Sequence, residues 1–381
     1  MNAEELIQLG VKKNLHGDYE GAIAFFNQAI QLNFNLVAAY YNRGNSYLSL
    51  EKFDQAIADY QQVIKQVKEN SLQPPENINL DIAKAFHNRG LACFQRGDNQ
   101  AAIADINQAL KFSPDFVAAY SNRGNIWHIL GQYIEAIDDY NQAIQLNPNL
   151  AAAYHNRGNS HYALQQYEDA IADYNQALKI NPNFAEAYYN RGLIMSHLQD
   201  YQSAIADFTE AIQRNSEDVQ AYYQRGLIHS TLGDYKNAIQ DYNQALQINP
   251  TMPTVYGLRA NARRHLGDYQ GAIADTNRLL QLNPHLVEGY CDRAASHRFL
   301  GDYQAAIKDY NQALQINPNL ADAYYARGDI YLHLGDIQAA IKDFQKSAHL
   351  FYQQGNKIYH QEIVNVITKI QQSPASFLNH Q

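Results

Sequence analysis

Along most of the chain, small and apolar residues recur at three- and four-residue steps, the mark of helices that bury one face. The steps themselves repeat in blocks of 34 residues. Within a block, positions 3, 4, 8 and 11 are mostly small or aromatic, as in Ala119, Tyr120, Gly124 and Trp127. A turn such as Gly301-Asp302-Tyr303 follows, and a second stretch carries an Ala-Ile pair at positions 20 and 21, from Ala22-Ile23 to Ala340-Ile341. Glycine ends one helix and aspartate starts the next, so each block predicts two short helices. Pro114, Pro148, Pro182, Pro250, Pro284 and Pro318 close six of the second helices, because proline cannot supply the amide that a continuing helix needs.

Arginine at block position 7 fixes the register. Arg89, Arg123, Arg157, Arg191, Arg225, Arg259, Arg293 and Arg327 follow one another at 34 residues, and Arg43 precedes Arg89 by 46, one period plus 12. Ten repeats therefore run from Ala3 to Gln354, with an insertion near 71–82 that contains Pro74-Pro75 and is expected to form a loop or to lengthen a helix pair. After the last repeat, Ile363, Ile367 and Ile370 share one face of a predicted capping helix over 355–372, which would cover the apolar edge a stack of repeats leaves open. Residues 373–381 are expected to be a disordered tail.

The fourth repeat shows what this pattern resembles. Tyr120, Gly124, Trp127, Tyr133, Ala136, Tyr140, Ala143 and Pro148 match the signature of the tetratricopeptide repeat (TPR) family, of the bacterial multi-repeat type, with arginine where the family has leucine before the glycine. The resemblance implies an all-α, right-handed α-solenoid of about ten helix-turn-helix units, its first helices lining a concave channel. It also implies a protein-protein interaction scaffold without catalytic activity, binding extended or helical segments of partner proteins. A substrate-recruiting subunit of a separate enzyme, or a structural assembly factor, would use the same scaffold.

Every repeat with arginine at position 7 has aspartate at position 23: Arg123 with Asp139, Arg157 with Asp173, Arg191 with Asp207, Arg225 with Asp241, and likewise from Arg43 and Asp59 to Arg327 and Asp343. The first repeat has Leu9 and Phe25 instead. Co-occurrence points to structural ion pairs that set helix register. The aspartate is roughly level with the arginine of its own repeat and with that of the next, and the missing pair in repeat one favours the former, since Phe25 would otherwise orphan Arg43.

Positions 2, 6, 9 and 13 make a second stripe on the first helix, the one that the resemblance turns toward the channel. Asn42, Asn88, Asn122, Asn156 and Asn190 occupy position 6, and Asn45, Asn125 and Asn159 position 9. Asparagine is a poor helix former, yet its amide both donates and accepts, so a row of them can hold the backbone of an extended peptide without reading its sequence. Long arrays of the family, such as that of the O-linked N-acetylglucosamine transferase, are similar in carrying such a ladder. Tyr41, His87, His155, Tyr189 and Tyr223 at position 5 would be flat anchors beside it or inter-repeat packing. Position 5 never carries lysine, which sets aside the carboxylate-gripping mode of co-chaperone relatives. Repeats eight and nine differ: Ala260 and Ala294 replace glycine, Asp292 replaces asparagine, and Arg263, Arg264 and Arg298 add charge, either as a site for an acidic group or as drift on a solvated face.

Composition narrows the partners. A net charge of −9 argues against nucleic acid or an anionic membrane, which need a basic surface. Cys93 and Cys291 are too far apart in sequence for a zinc motif or a disulfide framework. The fourteen histidines scatter over the block, and His197, His265 and His333, all at position 13, stand two repeats apart, too far to share a metal. With no apolar run of membrane length and acidic residues near Met1, the sequence reads as cytoplasmic, without cofactor or metal, and its oligomeric state is open.

Overall fold

The computed structural model describes residues 1–33, 36–69 and 78–372, and among these every regular element is an α-helix. The chain forms two compact bodies, Met1–Ile194 and Met195–Gln381. In the first, α1 (Ala3–Leu15) pairs with α2 (Tyr19–Leu32), α3 (Val37–Ser49) with α4 (Phe53–Glu69), α5 (Ile78–Gln95) with α6 (Asn99–Phe112), α7 (Val117–Ile129) with α8 (Tyr133–Leu146), and α9 (Ala151–Ala163) with α10 (Tyr167–Ile180). Helix α11 (Ala185–His197) lies at the division. In the second, α12 (Tyr201–Arg214) is followed by the pairs α13 (Val219–Thr231) and α14 (Tyr235–Ile248), α15 (Pro253–His265) and α16 (Tyr269–Leu282), α17 (Val287–Phe299) and α18 (Tyr303–Ile316), α19 (Ala321–His333) and α20 (Ile337–Gln353). Helix α21 (Lys357–Gln372) packs on α20. Its Ile363, Ile367 and Ile370 are buried with Phe344 and Phe351.

The turns follow the local chemistry. Gly131, Gly233, Gly267, Gly301 and Gly335 hold positive φ, where a side chain would be strained. Where the next residue is aspartate it caps the second helix: Asp234, Asp268, Asp302 and Asp336, and Asp200 after Gln199, each accept from the amide three residues on. Glu51, Gln165 and Gln199 take the same left-handed conformation without being glycine.

Alanines at positions 3 and 20 are almost wholly buried and let helices approach, while a ring at position 24 fills most pairs: Tyr60, Tyr140, Tyr174, Phe208, Tyr242 and Phe344 are 0–1% exposed, and Ile106 stands there in repeat three. At most position-8 glycines that ring lies over the space a side chain would take, although repeat nine packs Ala294 with Tyr310. A Cβ at Gly158 would stand 2.8 Å from the Tyr174 ring, and one at Gly124 2.8 Å from Tyr140. Repeat eight keeps the fit by a paired change, Ala260 with Thr276 in place of the ring. The part of the insertion within the described residues is helical: α4 and α5 run to 17 and 18 residues, against 13 or 14 for most others, and Ser71–Asn77 lie outside the described residues, as do 373–381.

Candidate functional site

Within each body, position-7 arginines reach the aspartate of their own repeat through two parallel bonds. Arg157 donates from Nε to Asp173 Oδ2 at 2.9 Å and from Nη2 to Oδ1 at 2.6 Å. Arg43 with Asp59, Arg123 with Asp139, Arg225 with Asp241, Arg259 with Asp275 and Arg327 with Asp343 repeat the fork. Arg191 and Asp207 fall in different bodies; Asp207 is buried. The aspartates at position 23 are 3–7% exposed, so the fork is what makes an interior carboxylate affordable. Burial nevertheless pushes Asp59 and Asp139 above the ordinary carboxylate value, against the pull of their arginines. The hydrogen bond to Asp173 raises Arg157 above the ordinary guanidinium value, with burial opposing it.

A third arginine nitrogen does something the spacing of arginine and aspartate does not reveal. Nη1 of Arg157 donates to Asn141 Oδ1 at 2.5 Å, and that asparagine sits at position 25 of the preceding repeat. Arg43 meets Asn27 at 2.6 Å, Arg225 meets Thr209 at 2.9 Å, and Arg293 meets Asn277 at 2.6 Å in the same way. Each guanidinium also lies over the aromatic ring three residues earlier, Arg157 at 5.4 Å from the Tyr154 centroid. One arginine thus ties its own two helices to the second helix of the repeat before it.

The asparagines of the other stripe form a chain of bonds between successive first helices, which pack directly: α3 with α5, α5 with α7 and α7 with α9. Asn156 Nδ2 donates to Asn125 Oδ1 at 2.9 Å, and Asn190 Nδ2 to Asn159 Oδ1 at 3.0 Å. The same two acceptors take Tyr140 and Tyr174 hydroxyls at 2.7 and 2.8 Å. Asn88 reaches Asn45 Oδ1 at 3.0 Å and the Tyr41 hydroxyl at 3.1 Å, while Asn42 turns its Nδ2 onto its own helix at Ala38 O. Burial holds the phenols of Tyr140 and Tyr174 far above their ordinary value, so they remain donors.

His87 and His155 join this chain rather than standing beside it. His155 is 9% exposed; its Nδ1 lies 3.1 Å from Asn156 Oδ1 and its Nε2 accepts from Asn190 Nδ2 at 3.0 Å. His87 meets Asn88 at 3.2 Å and Asn122 at 2.9 Å in the same manner. Burial lowers both histidines below their ordinary value, which suits an imidazole that must accept at Nε2. Their rings pack on Phe116 and Phe184, a placement that fits the inter-repeat packing alternative for these two residues. Tyr41 and Tyr189 are half-buried.

Two openings lie along the stripe in the first body. A cavity of about 360 Å³ is lined by Phe94, Asn125, His128, Ile129, Tyr140, Asn156 and Asn159, and Ile129 at its edge is 64% exposed. A second, of about 470 Å³, is bordered by Tyr41, Asn42 and Lys84. Both are lined mostly by first-helix residues, with Tyr140 of α8 and Val63 of α4 added from second helices. No cluster of His, Cys, Asp or Glu suited to a metal occurs among the described residues, and no helix there is long and apolar enough to cross a membrane.

Comparison with known proteins agrees with this architecture. Models described as "TPR repeat" match residues 15–50, 90–130, 124–165, 158–199 and 297–335. Models described as "Tetratricopeptide repeat" match 37–70, 185–218, 219–252 and 321–354. The chain belongs to the tetratricopeptide repeat family. As such it is an α-solenoid of paired helices, built as a protein-interaction scaffold. Among solved structures it is similar to the C-terminal part of a TPR repeat-containing protein from Cytophaga hutchinsonii, at 18% identity and a TM-score of 0.53 over 65% of this chain and 97% of that one. It is also similar to MamA, at 24% identity and 0.42 over 44% and 92%. YrrB, titled a TPR protein with an unusual peptide-binding site, is 18% identical with a TM-score of 0.42 over 47% and 92%. No curated protein matches the sequence.

Proposed function

We propose that this TPR protein holds an extended segment of a partner protein along the first-helix stripe of repeats two to six, on the concave side of the stack. What supports the reading is the way the ladder is bonded. At Asn125 and Asn159 both internal bonds enter Oδ1, so the NH₂ end of each is the group that meets a ligand carbonyl. At Asn122 and Asn190 the internal bonds leave from Nδ2, so Oδ1 is the end that meets a ligand N–H. Donor and acceptor ends at repeat spacing match what an extended backbone offers. The cavity between Phe94 and Ile129 takes one apolar side chain and gives the site its preference. The internal bonds also keep the amides from rotating, which lowers the ordering cost of binding.

The test uses a partner segment identified by cross-linking and co-purification, synthesised with a fluorescent label. Asn125→Asp and Asn159→Asp keep an oxygen for Tyr140 and Tyr174 but remove the outward NH₂ donors. Together they should weaken the peptide by about tenfold or more while the helical circular dichroism is unchanged. Equal affinity in wild type and double variant would move the binding surface elsewhere.

A further inference from the structure

The second body carries a row of ring pairs that its fold does not need. Tyr235 stacks on His265 with centroids 4.4 Å apart and planes at 1°, Tyr269 on Phe299 at 4.8 Å and 5°, and Tyr303 packs on His333 at 4.6 Å, tilted by 51°. Each pair joins position 17 of one repeat to position 13 of the next, so the pairs recur once per repeat. Position 13 in the first body holds Leu15, Ser49, Gln95, Ile129 and Ala163, and those repeats stack without such rings. The outer rings face solvent: Phe299 is 62% exposed, and His265 and His333 are exposed.

Between the second and third ridge lies a cavity of about 530 Å³ with Phe299 on one wall, Tyr303 and His333 on the other, Ile330 and Leu332 in its lining and the Arg298–Asp329 ion pair at its polar side. The surroundings are acidic. Each inner tyrosine follows a cap aspartate, and Asp234, Asp268 and Asp302 have side chains 44%, 53% and 55% exposed. Across the row, Arg264 and Arg298 are matched by Asp292 and Asp329, and Glu288 and Asp322 are exposed on the same first-helix stripe. The balance of the face is negative.

We propose that this row docks a proline-rich segment carrying arginine or lysine, in the polyproline II conformation. Helices in contact lie about 8–10 Å apart, and α15 and α17, which carry the first two ridges, pack directly. A polyproline II helix advances about 3.1 Å per residue and completes a turn in three, so one turn covers about 9 Å. Successive prolines on one edge of the ligand therefore fall between successive ridges, and the cavity between Phe299 and His333 receives one pyrrolidine ring. Stacking fixes the rings beforehand, and the ligand is itself stiff, so little order is lost on docking. The flanking cations meet the cap aspartates. This surface is separate from the asparagine stripe of the first body and does not rest on that reading.

Fluorescence anisotropy on the full chain tests it with three labelled peptides: about nine prolines, roughly three turns, flanked by arginines; the same arginines around a glycine-serine run of equal length; and the proline run flanked by glutamates. The first should bind, the other two at least about tenfold more weakly, and Phe299→Ala should weaken the first by about tenfold or more. Phe299→Trp, which keeps a flat ring, should restore it. Because Phe299 is exposed, the thermal transition of both variants should match wild type. Equal binding of the glycine-serine peptide would reduce the surface to a charge effect, and no binding of the first peptide, or an unchanged affinity in Phe299→Ala, would overturn the proposal.

Discussion

Arg157→Leu is the sharpest probe of what fastens the repeats. The substitution removes the two bonds to Asp173, the bond to Asn141 in the preceding repeat, and the contact with Tyr154. What remains is a carboxylate with a side chain 6% exposed, with the His161 ring at 3.8 Å from it. Orphaning one member of a buried pair costs about 3–5 kcal/mol, against about 0–1 kcal/mol when the pair is exposed. Arg157 itself is 21% exposed, so about 3 kcal/mol, the lower end of the buried range, is expected. Urea unfolding followed by circular dichroism at 222 nm, fitted with a nearest-neighbour model because repeat stacks need not unfold in two states, reads the loss. Arg157→Leu with Asp173→Leu removes the orphan as well and should recover much of it, since an apolar pair can replace a buried ion pair at little cost. A loss below about 1 kcal/mol in the single variant, or no recovery in the double, would show that the fork is solvated and that register is held elsewhere.

Three further outcomes follow from the same geometry. Gly158→Ala puts a Cβ 2.8 Å from the Tyr174 ring and should cost about 1–3 kcal/mol by overpacking, checked by the same denaturation; the change combined with Tyr174→Thr, the pairing of Ala260 with Thr276, should recover part of it. Gln165, at φ 60°, gains from glycine, and Gln165→Gly should raise stability by about 1 kcal/mol, whereas Gly301→Gln should lower it by a similar amount. His87 and His155 have folded values held below their unfolded ones, so between the two the unfolded chain binds more protons: their contribution is complete above the ordinary histidine value and is lost as pH falls below it. The melting temperature should fall from pH 7.5 to pH 5.5, and less steeply in the double variant with glutamine at both positions; parallel slopes would assign the pH dependence to other groups.

How much of this was legible in the letters depends on whether a partner lies at a fixed distance in sequence. The arginine and aspartate always stand 16 residues apart in one hairpin, and the first repeat lacks both, so their association could be read without coordinates. Asn27, Asn107, Asn141 and Asn175 recur just as regularly, 16 residues before an arginine, yet nothing in one hairpin says that the guanidinium also reaches backward. That bond exists because of how one repeat rotates onto the next. The same rotation decides the ladder: residue type marked Asn122, Asn156 and Asn190, but that Asn156 and Asn190 spend their Nδ2 on the previous repeat, and that His155 lies buried between them, depends on the offset of neighbouring first helices. Glycine at position 8 was legible as a close approach, and the ring over it supplies the cause. Ala260 stands out in the letters as a departure from glycine, and its partner Thr276, in place of the ring, emerges only once the two helices are paired. Within a hairpin, then, sequence spacing carries the contact; between hairpins it carries only the identity of the groups. The proposed binding face is made by that second class of contact. Substitutions that change the inter-repeat rotation, such as loss of the arginine bond to Asn141, should therefore alter ligand affinity from the opposite side of the repeat, without touching an asparagine of the ladder.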